Sequence, residues 1–235
     1  MVEKRMNIIF FGDSLTEGAP GASYYSILKE KLPEHNLVNY GKGGDTVISL
    51  YHRIKKMNIS EKYDIAFIWI GTNDVLVHVS NRYPLLKRFF NQPGVQNTEE
   101  FRKYYLDIFG IISANTKKIF AVSPLLIGED THNKWNKELG RLSTEIKDLS
   151  SELKNVEYID LRKDFISALS SKKISSYILL GTITDSVFTW LFNNPERVEE
   201  KSKERGLYLT LDGVHLNDAG AKMVADIFLK HIKNI

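Results

Sequence analysis

Four short segments carry residues whose types and spacing suit acyl transfer. Gly12-Asp13-Ser14 follows the hydrophobic run Ile8–Phe11 and precedes a helical pattern. A serine there lies at the carboxyl end of a strand, the usual ligand-binding end of an open parallel sheet. Its hydroxyl becomes a useful nucleophile only when a base takes its proton and an acid holds that base in the right tautomer. Asp212-Gly-Val-His215 supplies an acid and a base from one loop, just before the final helix. Two more loops offer donors. Asn39–Thr46 contains Gly41, Gly43 and Gly44, and Gly71-Thr-Asn73-Asp74 contains a side-chain amide. Acyl transfer needs preorganised donors where charge develops on the carbonyl oxygen, and backbone N–H groups with one Asn amide form such a set. Each segment alone has an ordinary structural use, as a helix cap or a turn. Thr16 also stands where the G-x-S-x-G elbow of α/β-hydrolases needs its second glycine.

The elements that must position these loops are legible as alternating short apolar runs and longer helical patterns. Strands are predicted at Asn7–Phe11, Leu37–Tyr40, Asp64–Ile70, Lys118–Ser123 and Val156–Asp160. Several are continuous apolar runs, which suits parallel strands covered on both faces. Helical patterns lie near 22–32, 46–57, 98–115 and 133–154. A last helix over 218–233 carries Ala221, Val224, Ala225, Phe228 and Ile232 on one face, with Asn217 at its N-cap. Two stretches break the rhythm, 78–97 and 167–208, and are read as insertions over one end of the sheet that form a cap or complete the core. They bring Tyr83, Leu86, Phe89, Tyr177, Phe188 and Trp190 as apolar residues that would pack in the core or line a pocket.

Composition narrows the chemistry. The 235 residues are 43% hydrophobic and 26% charged, ordinary values for a globular chain. The net charge of +3, from 32 basic and 29 acidic residues, implies no polyanion, so no nucleic-acid partner is expected. There is no cysteine, which excludes disulfides, thiolate metal sites and a thiol nucleophile together. The longest apolar stretches fall far below the ~20 residues that span a bilayer. With no signal-peptide pattern at Met1–Met6, a cytoplasmic protein is expected. His35, His52, His78, His132 and His231 have no setting comparable to that of His215 and are expected at the surface.

In combination, Gly12-Asp13-Ser14-Leu15, then Gly44, then Gly71-x-Asn73-Asp74, then Asp212-x-x-His215 resembles the SGNH hydrolases, also called GDSL esterases/lipases. The four blocks occur in order and cover the chain from near residue 7 to residue 217. The resemblance implies one domain over 1–235 with a flavodoxin-like fold, a three-layer α/β/α sandwich on a mainly parallel five-stranded sheet. It implies Ser14 as nucleophile, His215 as general base and then acid, and Asp212 as the group that orients the imidazole. The oxyanion hole would be the Ser14 N–H, the Gly44 N–H and the Asn73 side chain. No metal and no cofactor are implied. The chain departs from many relatives in carrying Gly43, not serine, before Gly44.

Several residues beside the motifs also need roles. Asp13 and Asp74 are expected to fix the loops of Ser14 and Asn73 by hydrogen bonds, and Val75 and Leu76 would line an acyl pocket. The expected activity is hydrolysis of a small or medium acyl ester through an acyl-enzyme on Ser14. Lysophospholipase, thioesterase and carbohydrate O-deacetylase chemistry are the alternatives on the same machinery. A metal-dependent phosphoesterase would need more His and Asp ligands than the motif loops offer. A non-catalytic binding module would be expected to have lost Ser14, Asp212 or His215.

Overall fold

Alternate residues of the apolar runs face opposite helical layers. The computed structural model describes residues 5–57, 59, 61–79, 90–178 and 195–235. Its strands are β1 (Asn7–Gly12), β2 (Asn36–Gly41), β3 (Tyr63–Trp69), β4 (Thr116–Val122) and β5 (Val156–Ile159). They form one sheet in the order β2-β1-β3-β4-β5, and every neighbouring pair is parallel. Within β1, Ile8 and Phe10 enter one core while Ile9 and Phe11 enter the other. A strand buried on both faces has no polar side, which is why its sequence reads as a continuous run.

The helices are α1 (Ser14–Glu17), α2 (Tyr24–Lys31), α3 (Val47–Lys56), α4 (Thr72–Leu76), α5 (Thr98–Ser113), α6 (Lys134–Ser151), α7 (Leu161–Leu169), α8 (Pro195–Glu204) and α9 (Asp218–Lys233). Helices α3, α5 and α6 pack on one face of the sheet, and α2, α7 and α9 on the other. This is the expected α/β/α sandwich. Phe10, Phe67 and Phe120 occupy the same register position on β1, β3 and β4 and stack at 5.0 Å from ring to ring. Phe228 of α9 closes on Phe67 at 4.4 Å, so aromatic packing ties the last helix to the sheet centre.

Four helices were not legible as periodic patterns. Helices α1 and α4 have four and five residues, too short for a 3.6-residue period to repeat. Helix α7 buries Leu161, Phe165 and Leu169 at four-residue spacing, so residues 167–169, grouped above with the second insertion, complete a core helix. Helix α8 lies within the same stretch and buries Val198 and Ser202. From the first insertion, Gln92 Nε2 donates to the Gly43 carbonyl at 2.7 Å and Val95 joins the core. Tyr83, Leu86, Phe89, Phe188 and Trp190 lie outside the described residues.

Candidate active site

The strand register brings three of the four motif loops together. Gly12 pairs with Gly41 on one side and with Trp69 on the other. Strands β2, β1 and β3 therefore end at one level, and the loops leading to Gly44, Ser14 and Asn73 leave it side by side. The chain turns outward from β1 to β2 and then crosses back to β3, which makes the β1/β3 boundary a topological switch point.

Ser14 is the first residue of α1. Asp13 caps that helix, its Oδ1 accepting the Leu15 N–H at 3.0 Å. The other Asp13 oxygen accepts Asn73 Nδ2 at 3.1 Å, so a single aspartate fixes both the Ser14 turn and the Asn73 amide. The Ser14 N–H belongs to the helix-start donors that have no intrahelical acceptor. Asp74 performs the matching task on the other side, its carboxylate accepting the Val47 N–H at 3.0 Å where α3 begins. Asp13 thus ties the Ser14 turn to Asn73, and Asp74 ties the loop after β3 to the start of α3.

The glycine loop is fixed by Glu17, one helical turn beyond Ser14, and by Asp45 and Arg53. Gly43 donates its N–H to Glu17 Oε2 at 2.8 Å, and a Cβ on Gly43 would approach that oxygen to 2.8 Å. A side chain at position 43 would therefore have to displace the Glu17 carboxylate. Gly44 has φ +77°, a conformation that favours glycine. Directly after it, the fully buried Asp45 accepts Arg53 Nε at 2.7 Å, while Arg53 Nη2 donates to the Tyr40 carbonyl at 2.9 Å. The sequence signal was present: an aspartate beside the glycines and an arginine two helical turns on.

The fourth loop reaches the site from the other end of the chain. Ser14 Oγ lies 3.0 Å from His215 Nε2, and His215 Nδ1 lies 2.8 Å from Asp212 Oδ2. Asp212 Oδ1 accepts the Val214 and His215 backbone N–H groups at 3.0 and 2.8 Å. Burial pushes the Asp212 carboxyl up, but the charge and hydrogen bonds of His215, with the Val214 N–H, outweigh it and hold it below the usual carboxylate value. An ionised carboxylate can only accept, so Nδ1 carries the proton and Nε2 is left to accept from the serine hydroxyl. The His215 side chain keeps 14% exposure, enough for water to reach it.

Val75 lines a cleft of about 530 Å³ with Asp74, Gln96, Phe101, Trp135 and Arg141, to which Ser14, Asn73 and His215 do not contribute. Leu76 packs in the core on the same side of the sheet. Among the histidines expected at the surface, His52, His78 and His132 are exposed, but the His35 ring is only 5% exposed and lies against the start of β1, near the Met6 N–H. Among the described residues, no helix is long and apolar enough to cross a membrane, and no group of three His, Cys, Asp or Glu residues is arranged to hold a metal ion.

The profile of the GDSL-like lipase/acylhydrolase family matches residues 10–223. No curated protein sequence matches the chain. Several solved structures do. The acetyl xylan esterase AlAXEase is 24% identical over 97% of this chain and 100% of its own, with a TM-score of 0.66. Axe2, an acetylxylan esterase from Geobacillus stearothermophilus, is 21% identical over 97% and 94%, with a TM-score of 0.67. LAE5, an alpha/beta hydrolase enzyme from the metagenome of Lake Arreo, Spain, is 19% identical over 96% and 94%, with a TM-score of 0.69. At these identities the likeness is one of fold. Axe2 structures described as catalytic mutants carry alanine for one serine, one aspartate and one histidine, the last two three residues apart. Since the matched profile spans all four motif loops, the chain belongs to the GDSL-like lipase/acylhydrolase family and is a carboxylic ester hydrolase.

Proposed function

We propose that Ser14 is the nucleophile of an ester hydrolase acting on small acyl groups, with His215 as its base and Asp212 as the group that orients the base. The observation that carries this reading is the unbroken chain from Ser14 Oγ to His215 Nε2 at 3.0 Å and from His215 Nδ1 to Asp212 at 2.8 Å. Ser14 Oγ adds to the ester carbonyl carbon as its proton passes to Nε2, and the imidazolium is supported by the Asp212 carboxylate. Charge on the carbonyl oxygen is taken up by the Ser14 N–H, the Gly44 N–H and the Asn73 amide. Collapse expels the alkoxide, which takes the proton from Nε2 and leaves an acyl-Ser14. Water then repeats the sequence: His215 accepts its proton, the hydroxide adds, and Ser14 Oγ departs with that proton to release the acid.

A second reading names the substrate more closely, as an O-acetylated carbohydrate. It is favoured by the acetylxylan esterases among the similar structures and by the mixed cleft lined by Asp74 and Val75, where Trp135, Gln96 and Arg141 combine an aromatic surface with polar groups. Residues 78–97 and 167–208 would then carry the selection of leaving group.

Two measurements test these readings. A fluorophosphonate probe should label Ser14 in the wild type and fail to label Ser14→Ala. Labelling elsewhere would point to another nucleophile, and activity that disappears on exhaustive chelation would favour metal-assisted chemistry. A series of p-nitrophenyl esters from acetyl to long acyl, run beside acyl thioesters and acetylated xylo-oligosaccharides, should show the acetyl substrates preferred. A maximum at long acyl chains would overturn the small-acyl assignment.

A further inference from the structure

Glu129 is a fully buried carboxylate that takes no direct part in the reaction proposed above. It lies between β4 and α6, and both of its oxygens are engaged by one short segment. Oε1 accepts the Leu209 N–H at 2.8 Å, the Thr210 N–H at 2.9 Å and the Thr210 hydroxyl at 2.8 Å. Oε2 accepts the Tyr208 N–H at 2.8 Å. Taking a carboxylate out of water is costly unless protein donors replace its hydration, and here four donors do so. All four belong to residues 208–210, which run directly into Asp212. Those N–H groups have no strand of the main sheet to pair with, so Glu129 supplies the acceptors that a strand otherwise would.

The support continues on both sides of Asp212. Gly128 donates its N–H to the carbonyl of Gly213 at 2.7 Å, so the loop that carries Glu129 grips the chain after Asp212 as well as before it. The loop itself is anchored from below. Asn136 Oδ1 accepts the Ile127 N–H at 3.1 Å, Asn136 Nδ2 donates to the Gly128 carbonyl at 3.0 Å, and Arg162 Nη2 donates to the Asn136 carbonyl at 2.6 Å. Movement at Thr210 would pass to the base with little slack: Thr210 bridges to Leu216, and the Leu211 N–H donates to the His215 carbonyl at 2.7 Å.

We propose that Glu129 is a positioning residue for the Asp212–His215 pair, setting the path of the 208–215 backbone so that Nε2 meets Ser14 Oγ. This inference rests on the serine-hydrolase reading above. The test is Glu129→Gln, which keeps the shape but turns an amide N–H₂ toward backbone donors. It should lower kcat and kcat/KM for p-nitrophenyl acetate together by about 10- to 100-fold, the scale of a misplaced reacting group, with KM unchanged. The downfield proton resonance of the His215–Asp212 hydrogen bond should shift or broaden in the same variant. Thr210→Val removes one hydroxyl contact and should move both readouts in the same direction by less, which keeps the test decisive if Glu129→Gln does not fold. A folded Glu129→Gln with wild-type kcat, or a rate that falls only with the folded fraction while the resonance stays put, would overturn the proposal. For an unfolded Glu129→Gln, Thr210→Val with both readouts unchanged would do the same. Ser14→Ala is assayed alongside. If it keeps activity, the underlying serine mechanism fails; if it is dead while Glu129→Gln is unaffected, only the positioning role fails.

Discussion

Ser14 and Asn73 are held where the chain leaves β1 and β3, and they are tied to each other through one side chain. Asp212 and His215 sit on a segment outside the five-stranded sheet, held by side chains from distant parts of the sequence. In the first half, Asp13 caps its own helix two residues away and reaches Asn73 across one strand spacing. In the second, Glu129 receives residues 208–210 from about 80 positions along the chain, and Arg205 Nη1 donates to the Leu211 carbonyl at 2.8 Å. The donor loops leave strands buried on both faces and are fixed by carboxylates close to them, Asp13, Glu17, Asp45 and Asp74. The acid–base loop has no ladder of its own, so buried polar groups supply its order.

The variants expected to have the largest effect compare the halves directly. Ser14→Ala and His215→Ala should each lower turnover of an activated ester by about 10³-fold or more, because both members of the proton-transfer pair are indispensable. A His215→Ala enzyme with near-normal turnover would detach the second half from the chemistry. Asn73→Ala should cost roughly 10²- to 10³-fold in kcat if its amide serves the oxyanion. Unchanged kcat in that variant would reduce Asn73 to a partner of Asp13.

Smaller effects probe how each half is built. Gly213 has φ +88°, and a Cβ there would come within 3.1 Å of Gly128 Cα. Gly213→Ala should therefore cost about 1–2 kcal/mol of stability, read from the denaturation midpoint, and lower activity with it. A neutral result would mean that the loop relaxes freely, against the rigidity argued for it. The smallest effect concerns pH. The Asp212 carboxyl lies below its ordinary value when folded, so its stabilisation is complete above the unfolded value near 3.9 and is lost as pH falls through the folded one. Asp212→Asn should thus show a shallower fall in melting temperature than the wild type as pH drops from about 5 to about 3. An equally steep fall would locate the acid sensitivity in other carboxylates.

Most of the first half was readable because its signals are local. Ile8–Phe11 announces a doubly buried strand, the residues after it announce a turn and a cap, and Gly44 and Asn73 follow strands of the same kind. Asp212 and His215 were also readable, because three residues of spacing and the Asn217 cap mark the loop. Their support was not. A glutamate in a polar stretch such as Gly128-Glu129-Asp130 looks like any solvated acid, and only burial distinguishes it. Arg162 and Asn136 were hidden for the same reason: a polar side chain in a helix gives no sign that it faces inward.

The sequence by itself determined the strands and the order of the motif loops that carry Ser14, Asn73, Asp212 and His215, because apolar runs and short turns depend on neighbours in the chain. Tertiary structure alone decided that β1 would lie between β2 and β3, that Gly43 would answer to Glu17, and that Glu129 would hold the acid–base loop. Those outcomes depend on hydrogen bonds between groups tens of residues apart, whose partners exist only once the sheet has brought them together.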